Sequence, residues 1–455
     1  MKASFRRFLL TAALMLLPVL GLCGCAYDAE IILDPQGLYC LPTLPDQYTD
    51  LNGQIQTILA SGAEYAAPAS GTNIQPVQLV DLDGDGQEEA VAFFRNPSDE
   101  KPLKIYIFKN QGGTYQQSAI IEGSGTAIYS ISYQDLEADG KAELLVGWRA
   151  SPELQVLSVY ALQSSQPVEL IRTNYVKYTV CDLENDGRRA LVVLRSGEEG
   201  TGLADYYGWR EGHLVLRSSA GVSMTMAELS QQGRITRGRL QEQEPALFIT
   251  GVTDTARAIT DILTVRGGEL TNITLSDATG ISTEGGAFSG LYPADINGDG
   301  TTEVPVPVYL QTSEAGPMLL QRIDWGSYNS GGTRTTVMRT YHDRESGWYL
   351  RLNENWTDRI YVSRAAVAGE TTVTFFVRDE KSSELRPFMR VWVFSGSNRT
   401  IQATRGERFV LASGADKIYA AELLEENSAW RYGVTEEEVK EAFSLIATEW
   451  AVGDN

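Results

Sequence analysis

Asp81-Leu82-Asp83-Gly84-Asp85-Gly86-Gln87-Glu88-Glu89 sets acids at its positions 1, 3, 5 and 9 and runs directly into the apolar segment 90–94. The pattern returns as Asp135-Leu136-Glu137-Ala138-Asp139-Gly140-Lys141-Ala142-Glu143 and as Asp295-Ile296-Asn297-Gly298-Asp299-Gly300-Thr301-Thr302-Glu303. A weaker copy, Asp182-Leu183-Glu184-Asn185-Asp186-Gly187-Arg188-Arg189-Ala190, has lost the acid at position 9 and gained two arginines. A last trace, Glu228-Leu229-Ser230-Gln231-Gln232-Gly233, keeps almost none of the charge. The copies begin 54, 47, 46 and 67 residues apart. A period of that size marks a stacked or radial repeat.

Each copy but the last trace feeds a short apolar run: 90–94, 144–148, 190–194 and 304–310. Alternating segments such as 103–108 follow and stop at turn signals, Asn110-Gln111-Gly112-Gly113, Arg210-Glu211-Gly212 and Arg266-Gly267-Gly268. These are hairpin signals. Short strands joined by tight turns about every 50 residues predict a mainly β fold, a β-propeller with blades of roughly four strands. The copies predict about five blades, with six or seven as the alternative. A ring must also close, and 74–80 is expected to pair with strands near 319–325.

The loop composition is that of a site for a hard cation. Glycines let the chain turn tightly, so that positions 1, 3 and 5 point inward. Asp81, Asp83, Asp85 and Glu89 would then offer carboxylates and Gln87 its carbonyl. The matching sets are Asp135, Glu137, Asp139, Lys141 and Glu143; Asp295, Asn297, Asp299, Thr301 and Glu303; and, less completely, Asp182, Glu184 and Asp186. Calcium takes about 6–8 such oxygens, whereas magnesium demands a tighter octahedron. The first loop is expected to bind best and the 228 copy not at all. The other reading is a metal-free turn held by local hydrogen bonds. An EF-hand needs a glutamate at position 12 and flanking helices. Position 12 here is Ala92, and Pro305 and Pro307 follow the last loop.

A loop with an acid at position 9 and a strand behind it resembles the FG-GAP/VCBS calcium loop, over roughly residues 70–335. The resemblance implies a propeller with calcium loops between strands. Such propellers occur in binding modules and also in some lyases and hydrolases.

The N-terminus reads as an export signal. Lys2, Arg6 and Arg7 precede the apolar stretch 8–22, which is short for a membrane span of about 20 residues. It ends Leu22-Cys23-Gly24-Cys25, which resembles the bacterial lipobox and implies cleavage before Cys25 and a lipid on its sulfur. The expected division is a signal peptide at 1–24, a tether with a short helix at 25–69, the propeller at 70–335 and an α+β domain at 336–455. The tether carries Pro35, Pro42 and Pro45, and Leu51, Ile55, Ile58 and Leu59 then fall at helical spacing. In the last domain strands are predicted at 348–352, 372–377, 390–394, 409–411 and 418–422. A closing helix is predicted from Thr435 and Glu438, with Val439, Phe443, Ile446 and Trp450 on one face.

The net charge of −21 argues against nucleic-acid binding, since phosphates would be repelled. Removal of 1–24 takes away three cations and no acid, leaving −24. Cys40 and Cys181 remain after Cys25, and two thiols can pair in an oxidising compartment. Cys181, in an apolar run, reads as a small buried hydrophobe. The two histidines, His213 and His342, form no recognised catalytic motif, and no Gly-x-Ser-x-Gly elbow or His-Glu-x-x-His is present. The expectation is a lipid-anchored extracytoplasmic calcium-binding protein. It would act as a surface binding or adhesion module, or as an envelope scaffold, and bind a protein or glycan. The alternative is a polysaccharide-active lyase or hydrolase carried on the same scaffold.

Overall fold

The computed structural model describes residues 48–446, except 165, 198–199, 288, 313–319 and 380–383. The signal segment, Cys25, Cys40 and Trp450 therefore lie outside the described residues. Strands make up 53% and helices 11%, a mainly β chain of several antiparallel sheets.

Four meanders follow one another. The first sheet holds Val77–Val80, Glu89–Arg95, Leu103–Gln111 and Thr114–Gly123, with Glu64–Tyr65 added beside Glu89–Arg95. The second holds Ala127–Gln134, Glu143–Arg149, Gln155–Gln163 and Gln166–Tyr175. The third holds Lys177–Cys181, Ala190–Ser196, Gly202–Arg210 and His213–Val222. The fourth holds Arg234–Arg239, Pro245–Val252, Arg257–Arg266 and Glu269–Asn272, with Gly285–Ala287 on Arg257–Arg266. A fifth sheet runs Val304–Tyr309, Gln321–Tyr328, Arg334–Asp343, Trp348–Arg351, and the late strand Phe443–Leu445 joins its edge. Its first strand is reduced to the bridge between Ala294 and Glu303.

The repeat goes deeper than the loops. The third strand of the first, second, third and fifth sheets shifts register at Ile107/Phe108, Val159/Tyr160, Tyr206/Tyr207 and Trp325/Gly326, which are equivalent places. The second strand of each meander is buried on both faces, which is why these runs are apolar throughout rather than alternating. In the first sheet Val91 and Phe93 join the core shared with the second, while Ala90, Ala92 and Phe94 face the other way. Leu191 and Val193 pack toward the second sheet; Val192 and Leu194 pack toward the fourth. Leu247 and Ile249 face the third, whereas Ala246 and Phe248 face the fifth.

The two ends of this row are covered. Helix α1, Thr49–Ala60, lays Leu51 and Ile55 on the outer face of the first sheet. At the other end Tyr341, Trp348 and Leu350 of the fifth sheet share a core with Val362, Phe375 and Val391 of a sixth sheet. That sheet is built from Ile360–Val367, Glu370–Arg378, Leu385–Ser395, Lys417–Leu423 and Phe409–Ser413, with Gln311–Thr312 parallel to Ile360–Val367. The expected closing pair does not form among the described residues. Val77–Val80 pairs with Glu89–Arg95, and Gln321–Tyr328 pairs with its own neighbours.

Three further expectations change. The division at 335/336 passes through the strand Arg334–Asp343, which belongs to the fifth sheet. The closing helix exists as Glu436–Ala442 with a complete Thr435/Glu438 capping box, but Phe443 leaves it and pairs with Leu350. The 228 copy is not a loop: Met226–Gln232 is a helix, α2, capped by Thr225 and Glu228. Cys181 is partly buried, and desolvation pushes its thiol up to about 12.

His342 sits between Trp325 and Tyr349, stacked on the latter at 5.1 Å, with Nε2 2.9 Å from Thr340 Oγ1. Burial, with Arg344 nearby, lowers its pKa to about 3. The folded imidazole stays neutral where the unfolded chain protonates it below about 6.5. Stability is therefore lost as pH falls from 6.5 toward 3. Denaturant unfolding at pH 7 and pH 5 tests this. Wild type should lose about 1–2 kcal/mol more than His342→Phe over that interval, and equal losses would show that His342 does not titrate in this way.

Candidate metal centre

The loops connect the first and second strands of their sheets, and one hydrogen-bond scheme builds them all. The position 1 aspartate accepts from the amides ahead of it. Asp81 Oδ1 takes Gly84 N at 2.8 Å and Oδ2 takes Gly86 N at 2.9 Å. Asp135, Asp182 and Asp295 each take the amide of position 6, Gly140, Gly187 and Gly300, at 2.9 Å. The position 5 aspartates accept the amide of position 7: Gln87 N on Asp85 at 2.8 Å, Lys141 N on Asp139 at 3.0 Å, Arg188 N on Asp186 at 3.0 Å and Thr301 N on Asp299 at 2.7 Å. Position 4 is left-handed in every copy, and the second and third loops hold Ala138 and Asn185 there.

The acid at position 9 closes the loop. Glu89, Glu143 and Glu303 each use Oε2 to accept the amide of position 2, Leu82 at 2.9 Å, Leu136 at 2.9 Å and Ile296 at 3.1 Å. The second oxygen, Oε1, is buried without a partner in both Glu89 and Glu303. A buried carboxylate oxygen with no donor is costly and calls for an explanation, an ion among them. Burial raises the pKa of Glu89, and pushes Glu143 and Glu303 up to about 7. Asp299 is held low by the Thr301 amide; in Asp139 burial works the other way but is outweighed by the Lys141 amide and ammonium.

The donor set is oxygen only, the chemistry of a hard cation. Oxygens of Asp81, Asp83 and Glu89 lie within 4.8 Å of one another, and no other acidic group among the described residues does so. Asp85 stands outside that trio, and Lys109 is bonded to Asp83. In the fifth-sheet loop Asn297 turns its amide to Asp299 at 2.8 Å. In the third loop Ala190 supplies no carboxylate, so Asp182, Glu184 and Asp186 lack the closing acid.

Two features were not read from the sequence. The fourth sheet has its own turn, Leu240–Glu244, between Arg234–Arg239 and Pro245–Val252. The residues ending the first arm of each turn, Val80, Gln134, Cys181, Arg239 and Ala294, lie 54, 47, 58 and 55 residues apart, so the long gap in the repeat disappears. The signal was the buried Leu240 before an apolar run, without any aspartate or glycine to announce it. The loops also touch. Ala142 N donates to Leu82 O, Arg189 N to Leu136 O and Thr302 N to Arg239 O, each at 2.9 Å.

His213 is exposed at a hairpin, and Asp343 beside His342 is engaged by Ser346 and Arg364.

Gly84 is left-handed, and a Cβ there would stand 2.3 Å from the Gly140 carbonyl oxygen; Gly86 is also left-handed but faces open space. Gly86→Ala should cost about 1–2 kcal/mol of backbone strain. Gly84→Ala should cost clearly more, because the two loops must part. Melting of the two variants side by side checks this, and equal costs would remove the contact between loops.

No curated protein matches the chain. Among protein families, the FG-GAP-like repeat matches residues 81–146, from the first aspartate of the first loop to the strand after the second. The chain thus carries an FG-GAP-like repeat at 81–146, one full turn of the loop-and-meander unit described above.

Proposed function

We propose that this protein is a calcium-stabilised binding scaffold of the FG-GAP type, anchored at the extracytoplasmic face of a bacterial membrane by a lipid on Cys25. The observation that carries the calcium reading is the shared closing acid, which spends one oxygen on the position 2 amide and leaves a buried Oε1 unpartnered in Glu89 and Glu303. Asp81, Asp83, Asp85, Glu89 and the Gln87 carbonyl would hold the ion in the first loop. The second and fifth-sheet loops would use Asp135, Glu137, Asp139, Glu143 and the Lys141 carbonyl, and Asp295, Asn297, Asp299, Glu303 and the Thr301 carbonyl. Bound calcium would neutralise the acids and fix the loop ends of the sheets.

The architecture we infer is a propeller-like array of five blades, one for each of the first five sheets, with α1 and the C-terminal sheet covering its two ends. The continuous cores between consecutive sheets support it. Recognition of a protein or glycan by the connecting segments fits the neutral, buried His342 and the exposed His213 better than catalysis does. No helix among the described residues is long and apolar enough to cross a membrane. The lipid attachment we propose rests on the order Leu22-Cys23-Gly24-Cys25 after the apolar stretch.

Calorimetric titration of chelator-stripped protein tests the calcium reading. Heat of binding at up to millimolar calcium is expected, with a rise in melting temperature. Each site contributes about 2.7 kcal/mol when free calcium is about 100 times its dissociation constant. Glu303→Gln should remove one binding step. Glu228→Ala should lower stability by about 1 kcal/mol through its lost cap, equally with and without calcium. No heat and a melting curve indifferent to chelator would leave metal-free turns.

Metabolic labelling with a palmitate analogue tests the anchor. Wild type should be marked and Cys25→Ala should not; equal labelling would dismiss the lipid.

A further inference from the structure

Lys109 stands at the foot of the first loop. The strands Glu89–Arg95 and Leu103–Gln111 pair Ala90 with Phe108, which sets Lys109 opposite Glu89. Its ammonium bonds to Asp83 and lies 3.9 Å from Asp85 Oδ2. The same register position is Ala161 in the second sheet, Gly208 in the third and Ser327 in the fifth. Of the three loops with a closing acid, only the first has a cation at this register position. Lys141 belongs to its own loop, where it reaches Asp139 with its side chain 55% exposed.

The first loop is also the one where three carboxylate oxygens gather within 4.8 Å. Carboxylates so close repel one another unless a cation stands among them. Lys109 supplies one from outside the loop. It does not fill the cage: Glu89 is 2% exposed and its Oε1 has no partner, and Asp83 Oδ1 is likewise buried and unpartnered. The lysine stem is flexible and its charge compact, so the ammonium can leave for water when a stronger cation arrives.

We propose that Lys109 is a tethered counter-ion. It keeps the first loop folded without metal, and a divalent ion must displace it from Asp83. The loop therefore binds calcium more weakly than its acids alone would, while its fold depends on calcium less. This inference rests on the calcium reading of the loops.

The test uses the full chain with Lys109→Gln, Lys109→Met and Lys109→Arg, titrated with calcium and melted in chelator and in calcium. Glu89→Gln identifies the first-loop binding step and Glu303→Gln the step of the fifth-sheet loop. Lys109→Gln and Lys109→Met should tighten the Glu89-dependent step by about tenfold or more, the effect of removing one positive charge a few ångströms from the ion. They should melt below wild type in chelator and recover in calcium. Lys109→Arg should stay near wild type, and the Glu303-dependent step should not move. If the neutral variants lose the same stability in chelator and in calcium, with unchanged affinity, Lys109 is only a structural clamp and the proposal is overturned. A Glu303-dependent step that persists in that case leaves the calcium reading standing; absence of every calcium step, in wild type and variants, overturns both.

Discussion

Position 2 of the loop is where the fold is joined. Leu82 buries its side chain in the core between the first and second sheets, donates its amide to Glu89, and offers its carbonyl to Ala142 of the next loop. Leu136 repeats all three connections one sheet further on, with Glu143 and Arg189. One residue thereby ties a hydrophobic core, a closing acid and a neighbouring loop. The glutamate cannot take its place without the leucine, because the apolar plug fixes where the amide points. The acids thus stand at the rim of the cores and inherit their positions from packing. A net charge of −21 is tolerated in part because some of it is held in loops whose own amides donate hydrogen bonds to the carboxylates.

Much of this was legible. Composition and glycine spacing mark the first, second, third and fifth turns, since a tight loop that points carboxylates inward has few alternatives in sequence. The strands behind the first three are apolar runs because both faces are buried. The fourth turn was illegible for the opposite reason. Leu240–Glu244 is defined only by the register of its arms, Arg239 on Pro245, and carries neither the aspartates nor the glycines of the other turns. The nearby Thr225–Glu228 spacing belongs to a helix cap, and its local resemblance to a worn loop misplaced the fourth turn.

Long-range pairing explains the remaining differences. Val439 and Phe443 are four apart and fit a helix, yet Phe443 stacks on Trp348 and its backbone is taken by Leu350, nearly a hundred residues earlier. The strand Ile360–Val367 alternates inward Ile360 and Val362 with outward neighbours, but Arg364 interrupts the pattern. Its partner, Asp343, lies on another sheet and cannot be seen locally. In the first loop the sequence shows the acids and hides the lysine. Lys109 is 20 residues beyond Glu89, and only the hairpin register brings it back.

Among the described residues each core is shared by neighbours only, and the ends are covered by a helix and by a sheet of different build. A row of this kind has the logic of a one-dimensional chain of coupled units, in which stability accumulates from each unit and its interfaces. Duplication or loss of one internal unit leaves both end covers and all other interfaces as they were. The number of sheets is then free to drift in descent, while the two covers are not.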